Sequence, residues 1–130
     1  MKGPAAIAAL LLVSLLVGAV AFFVQRQGGV ADCSDTVIAE SLSPGGRWVA
    51  ALFARRCGGT AESTQVALRR AGAAFAPLDA DVIFIAAGRE DAKISWVAEP
   101  ESVVVETNAR SVVREHRSWR KVGVQVRRVR

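Results

Sequence analysis

Residues Ala5 to Val24 read AAIAALLLVSLLVGAVAFFV, twenty positions without a charge. No other feature limits this chain so strongly. As a helix, such a run matches a hydrocarbon core about 30 Å thick. Lys2 and the terminal amine precede it, and Gln25 and Arg26 follow. Three readings are open: an uncleaved membrane anchor, a cleaved signal peptide with Ala19-Val20-Ala21 as its small-x-small site, and a buried core helix. Phe22, Phe23 and Val24 carry the apolar run past that site, which favours the anchor. Cys33 does not fit a lipidation site, because Asp32 stands where a lipobox needs a small residue. The basic, short N-terminal tail is expected to stay in the cytoplasm. The rest of the chain then lies outside it, on the far, periplasmic-type side of an inner or plasma membrane.

Without residues 1–24 the 130-residue chain still has enough length for one modest core and not for two. Hydrophobic residues make up 52% of the chain and charged residues 22%, which excludes a disordered polar polymer. Glycine is not periodic and no long repeat is visible, so collagen-like and solenoid architectures are excluded too. The domain plan is an anchor or signal segment over 1–24, a linker over 25–35, and an extracytoplasmic β domain over 36–130.

Turn residues divide that domain into short strands. Thr36–Leu42 and Arg47–Arg55 flank Ser43-Pro44-Gly45-Gly46, where proline presets φ and Gly45 tolerates a positive φ at the next position, so a hairpin is predicted. Ser63–Arg70 alternates, with Thr64, Val66 and Leu68 on one face. Val82–Ala87 (VIFIAA) is continuously apolar, as in a strand covered on both faces. Lys93–Ala98 and Val103–Thr107 read as a second hairpin. Residues 108–121 fit either a strand or a short amphipathic helix. Val122, Val124 and Val126 point one way from a last strand, which should end near Arg128 because that side chain falls on the inward register. Six to seven strands without βαβ spacing predict an all-β fold, a small antiparallel meander that is sandwich-like or a curved sheet.

Both cysteines, Cys33 and Cys57, lie in the exported part and flank the first hairpin. In an oxidising compartment a disulfide is the simplest reading, and two buried free thiols are the alternative. With one histidine, His116, they do not make a zinc site.

Two resemblances follow from these motifs. Glu40 to Ala50 (ESLSPGGRWVA) resembles the S-P-D-G hairpin of WD40-like propeller blades, with Gly45 where Asp is usual; the chain is too short for a propeller, so only hairpin geometry is implied. The order S-P-x-G-R-W (Ser43–Trp48), F-x-R-x-C-G (Phe53–Gly58) and S-T-x-V (Ser63–Val66) resembles a set of small exported bacterial proteins of unknown function. That resemblance implies an export or membrane segment and a compact β domain, and no activity.

Catalytic signatures are sparse. His116 sits among Arg114, Glu115 and Arg117, a solvated setting, and no G-x-S-x-G elbow or phosphate loop occurs. The carboxylate pairs Asp79/Asp81, Glu90/Asp91 and Glu99/Glu101 fall at turns. No C-x-x-C redox motif and no cofactor signature are present. A non-catalytic binding or structural role at the cell envelope is therefore expected, with a small hydrolase or redox enzyme as the alternative. Charge points to the partner: residues 108–130 hold eight Lys/Arg and one acid, or +7, whereas residues 25–107 hold eight bases and eleven acids, or −3. Arg110, Arg114, Arg117, Arg120, Lys121 and Arg127 are the candidate surface for anionic lipid or an acidic envelope partner. A solvated face is the plain alternative. Nucleic acid is not expected, since Trp48, Trp96 and Trp119 are too scattered for a stacking platform. Turned outward, Trp119 beside Arg120 and Lys121 suits a membrane interface.

Overall fold

A computed structural model describes residues 7–17 and 32–129. Residues 7–17 form a helix, α1, within one compact unit, Met1–Asp32; Cys33–Arg130 forms the other. In α1 the side chains of Ile7, Leu10, Leu11, Leu12, Val13, Leu15, Leu16 and Val17 are all exposed. Ser14 Oγ donates to the Leu10 carbonyl at 2.9 Å, so the helix satisfies its own hydroxyl. Among the described residues no helix is long and apolar enough to cross a membrane. The remainder of the Ala5–Val24 run lies outside the described residues, as does most of the 25–35 linker.

The second unit is all-β, with nine strands: β1 (Cys33–Leu42), β2 (Trp48–Cys57), β3 (Ser63–Arg70), β4 (Val82–Ala87), β5 (Ala92–Val97), β6 (Ser102–Thr107), β7 (Val112–Glu115), β8 (Ser118–Trp119) and β9 (Val122–Arg128). They form two sheets, ordered β1-β2-β3-β4-β7 and β5-β6-β9-β8. Between them lies the main core. Ala50, Leu52, Val66, Leu68, Ile83, Phe84 and Ala86 come from the first sheet, and Val103, Val105, Trp119, Val122 and Val124 from the second. Alternation along β9 works as predicted: Val122 and Val124 are buried, Gln125 and Arg127 are exposed, and the strand ends at Arg128.

The first sheet also buries a smaller cluster on its outer face. Phe53, Ala67 and Val82 pack there with Ile85 and with Phe75 from the 71–81 connection. This explains why VIFIAA is apolar throughout: Ile83, Phe84 and Ala86 join the main core, while Val82 and Ile85 join the outer cluster. Arg55 and Arg69 stack over Phe53 and Phe75 at 5.4 and 5.8 Å and pair with Asp35 and Glu40 at 2.7 and 3.1 Å. The Asp35 hydrogen bond raises the Arg55 pKa above its ordinary value.

Two expectations need correction. The fold is not a simple meander. β4 and β5 lie in different sheets, as do β6 and β7, and β9 pairs with β6 in parallel. A parallel pair needs a connection of about a dozen residues. Residues 108–121 supply it, and they carry β7 and β8 rather than a helix. The strand count rises accordingly. In the first hairpin the positive φ falls at Gly46 (+72°), one residue beyond the predicted position. The Ser43 carbonyl accepts the Gly46 N–H at 2.9 Å, so a type I turn is closed by a left-handed glycine. Gly45 serves a different purpose, since a Cβ there would meet Glu101 Oε2 at 3.0 Å.

Candidate functional site

The hairpins give the domain two recognisable ends. At the distal end the Ser43–Arg47 turn meets the β5–β6 turn, where the Gly45 N–H donates to Glu101 Oε2 at 3.4 Å, and Arg120 of the β8–β9 turn lies over Trp48. At the opposite end Cys33 and Cys57 are direct cross-strand partners with Cα atoms 3.9 Å apart, and they form the disulfide. The register of the first hairpin carries this bond, because it closes the hairpin's open end. The 58–62 loop and the Gly88 turn join there, with the Gly88 N–H donating to the Glu62 carbonyl at 2.9 Å.

This geometry disperses the six predicted cations. Arg120 and Lys121 form the two-residue β8–β9 turn at the distal end. Arg127 sits five residues along β9, about 17 Å away, in register with Glu106. Arg110 precedes Ser111, whose carbonyl accepts the Ala87 N–H near the disulfide end. Arg117 links β7 and β8. Arg114 leaves the set: its guanidinium pairs with Asp79 Oδ1 at 2.9 Å and donates to the Asp79 carbonyl. The other five form no ion pair among the described residues, and all five are exposed.

Trp119 is not an outward-facing interface residue. It is 7% exposed, its Nε1–H donates to Asp81 Oδ1 at 3.3 Å, and its ring meets Trp48 edge-on at 5.1 Å. Arg120 covers both indoles, with its guanidinium carbon 4.9 Å from Trp119 and 5.8 Å from Trp48. The Arg120 φ of +53° turns the side chain back onto them. Trp48 and Trp96 pack against the main core, and Trp96 Nε1–H donates to the Ser41 carbonyl.

Three of the six turn acids have partners for their side chains. Asp79 holds Arg114, Asp81 holds Trp119, and Glu101 receives Gly45. The His116 N–H donates to the Ile83 carbonyl, and its ring makes no hydrogen bond to a serine or an acid among the described residues. No three metal-ligating side chains converge among them either.

One constellation had no signal in the sequence. Arg56 and Arg89 approach the two oxygens of Glu62, each at 3.8 Å, beside the hydroxyls of Ser34 and Thr36. These residues are brought together only by the β1–β2 and β3–β4 registers. No family model, no curated protein and no solved structure matches this chain.

Proposed function

We propose that this protein is a non-catalytic binding module of the cell envelope. The Ala5–Val24 segment anchors it in the inner or plasma membrane, and its Cys33–Arg130 domain lies outside the cytoplasm. In this reading the exposed cations of residues 108–130 contact anionic lipid headgroups. The observation that carries it is that, among the described residues, Arg110, Arg117, Lys121 and Arg127 reach solvent without an acidic partner, and Arg120 is exposed and unpaired with an acid while it covers the two indoles. A domain built to neutralise its own charge would place its eleven acids of residues 25–107 against them. Two further features support the reading: α1 is apolar on every side, as lipid-facing helices are, and the disulfide suits an oxidising compartment.

Each cation held near an anionic membrane contributes about 1 kcal/mol, and the attraction fades within a Debye length of about 8–10 Å. The β unit carries its own core and disulfide, so residues 25–130 suit a sedimentation test with vesicles. Binding to phosphatidylglycerol vesicles should exceed binding to phosphatidylcholine vesicles and weaken with salt. Changing Arg117, Arg120 and Lys121 together to Gln should reduce it. Equal, salt-insensitive binding to both vesicle types contradicts the proposal.

A further inference from the structure

Beside the disulfide, the structure holds a polar pocket of about 260 Å³ lined by Ser34, Thr36, Ala54, Arg56, Glu62 and Arg89. Its floor is the end of the first hairpin, where Ser34 pairs with Arg56 and Thr36 with Ala54, each one step in from the Cys33–Cys57 rung or two steps further. Arg56 therefore extends from a backbone clamped by the disulfide. Arg89 extends from an equally fixed turn. Buried Thr64 donates its hydroxyl to the Gly88 carbonyl and accepts the Glu90 N–H, both at 2.9 Å, and the Gly88 φ is +82°.

The two guanidiniums share one carboxylate. Glu62 lies 3.8 Å from each, too far for a hydrogen bond, and neither guanidinium donates to any other protein acceptor among the described residues. The Ser34 and Thr36 hydroxyls likewise have no protein partner there. Both arginine side chains are 64% exposed and line the pocket, so they are open to a ligand from solvent. Two positive charges against one negative charge leave a surplus of one. Planar N–H forks with adjacent hydroxyls match the oxygens of a tetrahedral oxyanion.

We infer that this pocket is a binding site for a phosphate group, held by Arg56 and Arg89 and completed by Ser34 and Thr36. Glu62 acts there as a resident competitor, whose carboxylate offsets the charge of the two arginines in the unliganded protein. The site uses none of the cations of residues 108–130, so it stands or falls separately from the headgroup contact proposed above. The phosphate can come from a lipid headgroup or from solution.

The 130-residue chain in dodecyl maltoside micelles, labelled with ¹⁵N at arginine, tests the site. The Nε–Hε signals of Arg56 and Arg89 are followed as inorganic phosphate replaces chloride at constant ionic strength. Both signals should shift and saturate, with a midpoint of about 1 mM, typical of a site with a few charged contacts. Arg56→Gln should weaken the response of Arg89 by about tenfold, the loss of one charge-assisted contact. Glu62→Gln should strengthen it, which a purely structural Glu62 would not do. Unmoved or non-saturating signals, or an unchanged midpoint in Arg56→Gln, overturn the inference. Repeating the titration in phosphatidylglycerol nanodiscs identifies the source. Signals that begin at the phosphate-bound position and no longer move assign a headgroup; a titration like that in micelles assigns soluble phosphate.

Discussion

The two ends of the β unit both carry exposed arginine, and they use it differently. At the distal end the Arg120 guanidinium lies over Trp48 and Trp119, and the Trp119 indole is tied to Asp81. That guanidinium serves packing first. At the disulfide end Arg56 and Arg89 stack on no aromatic ring among the described residues, and they line a pocket. The contrast teaches that local charge density alone does not locate a binding site. What the neighbouring groups have already consumed decides which cations remain available.

Substitutions at either end test whether the two ends differ in this way. The largest effect is expected at the distal end. Trp119→Ala removes a buried ring, leaves Asp81 without its donor, and should cost about 3–5 kcal/mol in denaturant unfolding. Replacing Cys33 and Cys57 together by Ala should cost about 3 kcal/mol, since the bridge closes a 24-residue separation. Near-ultraviolet dichroism of the tryptophans should survive that change below the unfolding transition. Its loss would show that the two ends are one cooperative device and dissolve the comparison.

Backbone conformation gives a matched pair of smaller effects. Gly88→Ala forces a side chain onto a φ of +82° and should cost about 1 kcal/mol or more. Arg120→Gly relieves a positive φ and loses a cation–π contact, so its net change should stay within about 0.5 kcal/mol. Equal penalties at the two turns would mean that Arg120 is held by more than its stack on the indoles. Arg114→Gln is likewise a small effect and should cost less than about 1 kcal/mol, because Asp79 is a solvent-exposed partner.

Much of the fold was legible where information is local. The Ser43–Gly46 hairpin turn and the inward valines of β9 rest on neighbours in sequence and have their predicted roles. The alternation of Ser63–Arg70 predicts a half-exposed strand, but Gln65 and Ala67 are buried as well as Thr64, Val66 and Leu68, because the outer cluster covers the second face. The pairing of β9 with β6 was not legible. Val122, Val124 and Val126 show which face is apolar, but not which strand edge they will meet. Residues 108–121 were ambiguous for a related reason: β7 and β8 are short strands whose partners, β4 and β9, are chosen by sheet geometry. The site followed the same division. The basic stretch over residues 108–130 is visible as a count of charges. The capture of Arg114 by Asp79, the burial of Trp119 and the meeting of Arg56 with Arg89 are consequences of tertiary contact.

Fractionation with thiol trapping tests the proposal of an envelope domain held on a membrane segment in an oxidising compartment. Cells producing the 130-residue chain are lysed with an alkylating agent present, and the membranes are washed in alkaline carbonate. The chain should stay in the washed membrane pellet, and Cys33 and Cys57 should resist alkylation until a reductant is added. Recovery of the uncleaved chain in the wash, or direct alkylation of both cysteines, would contradict it.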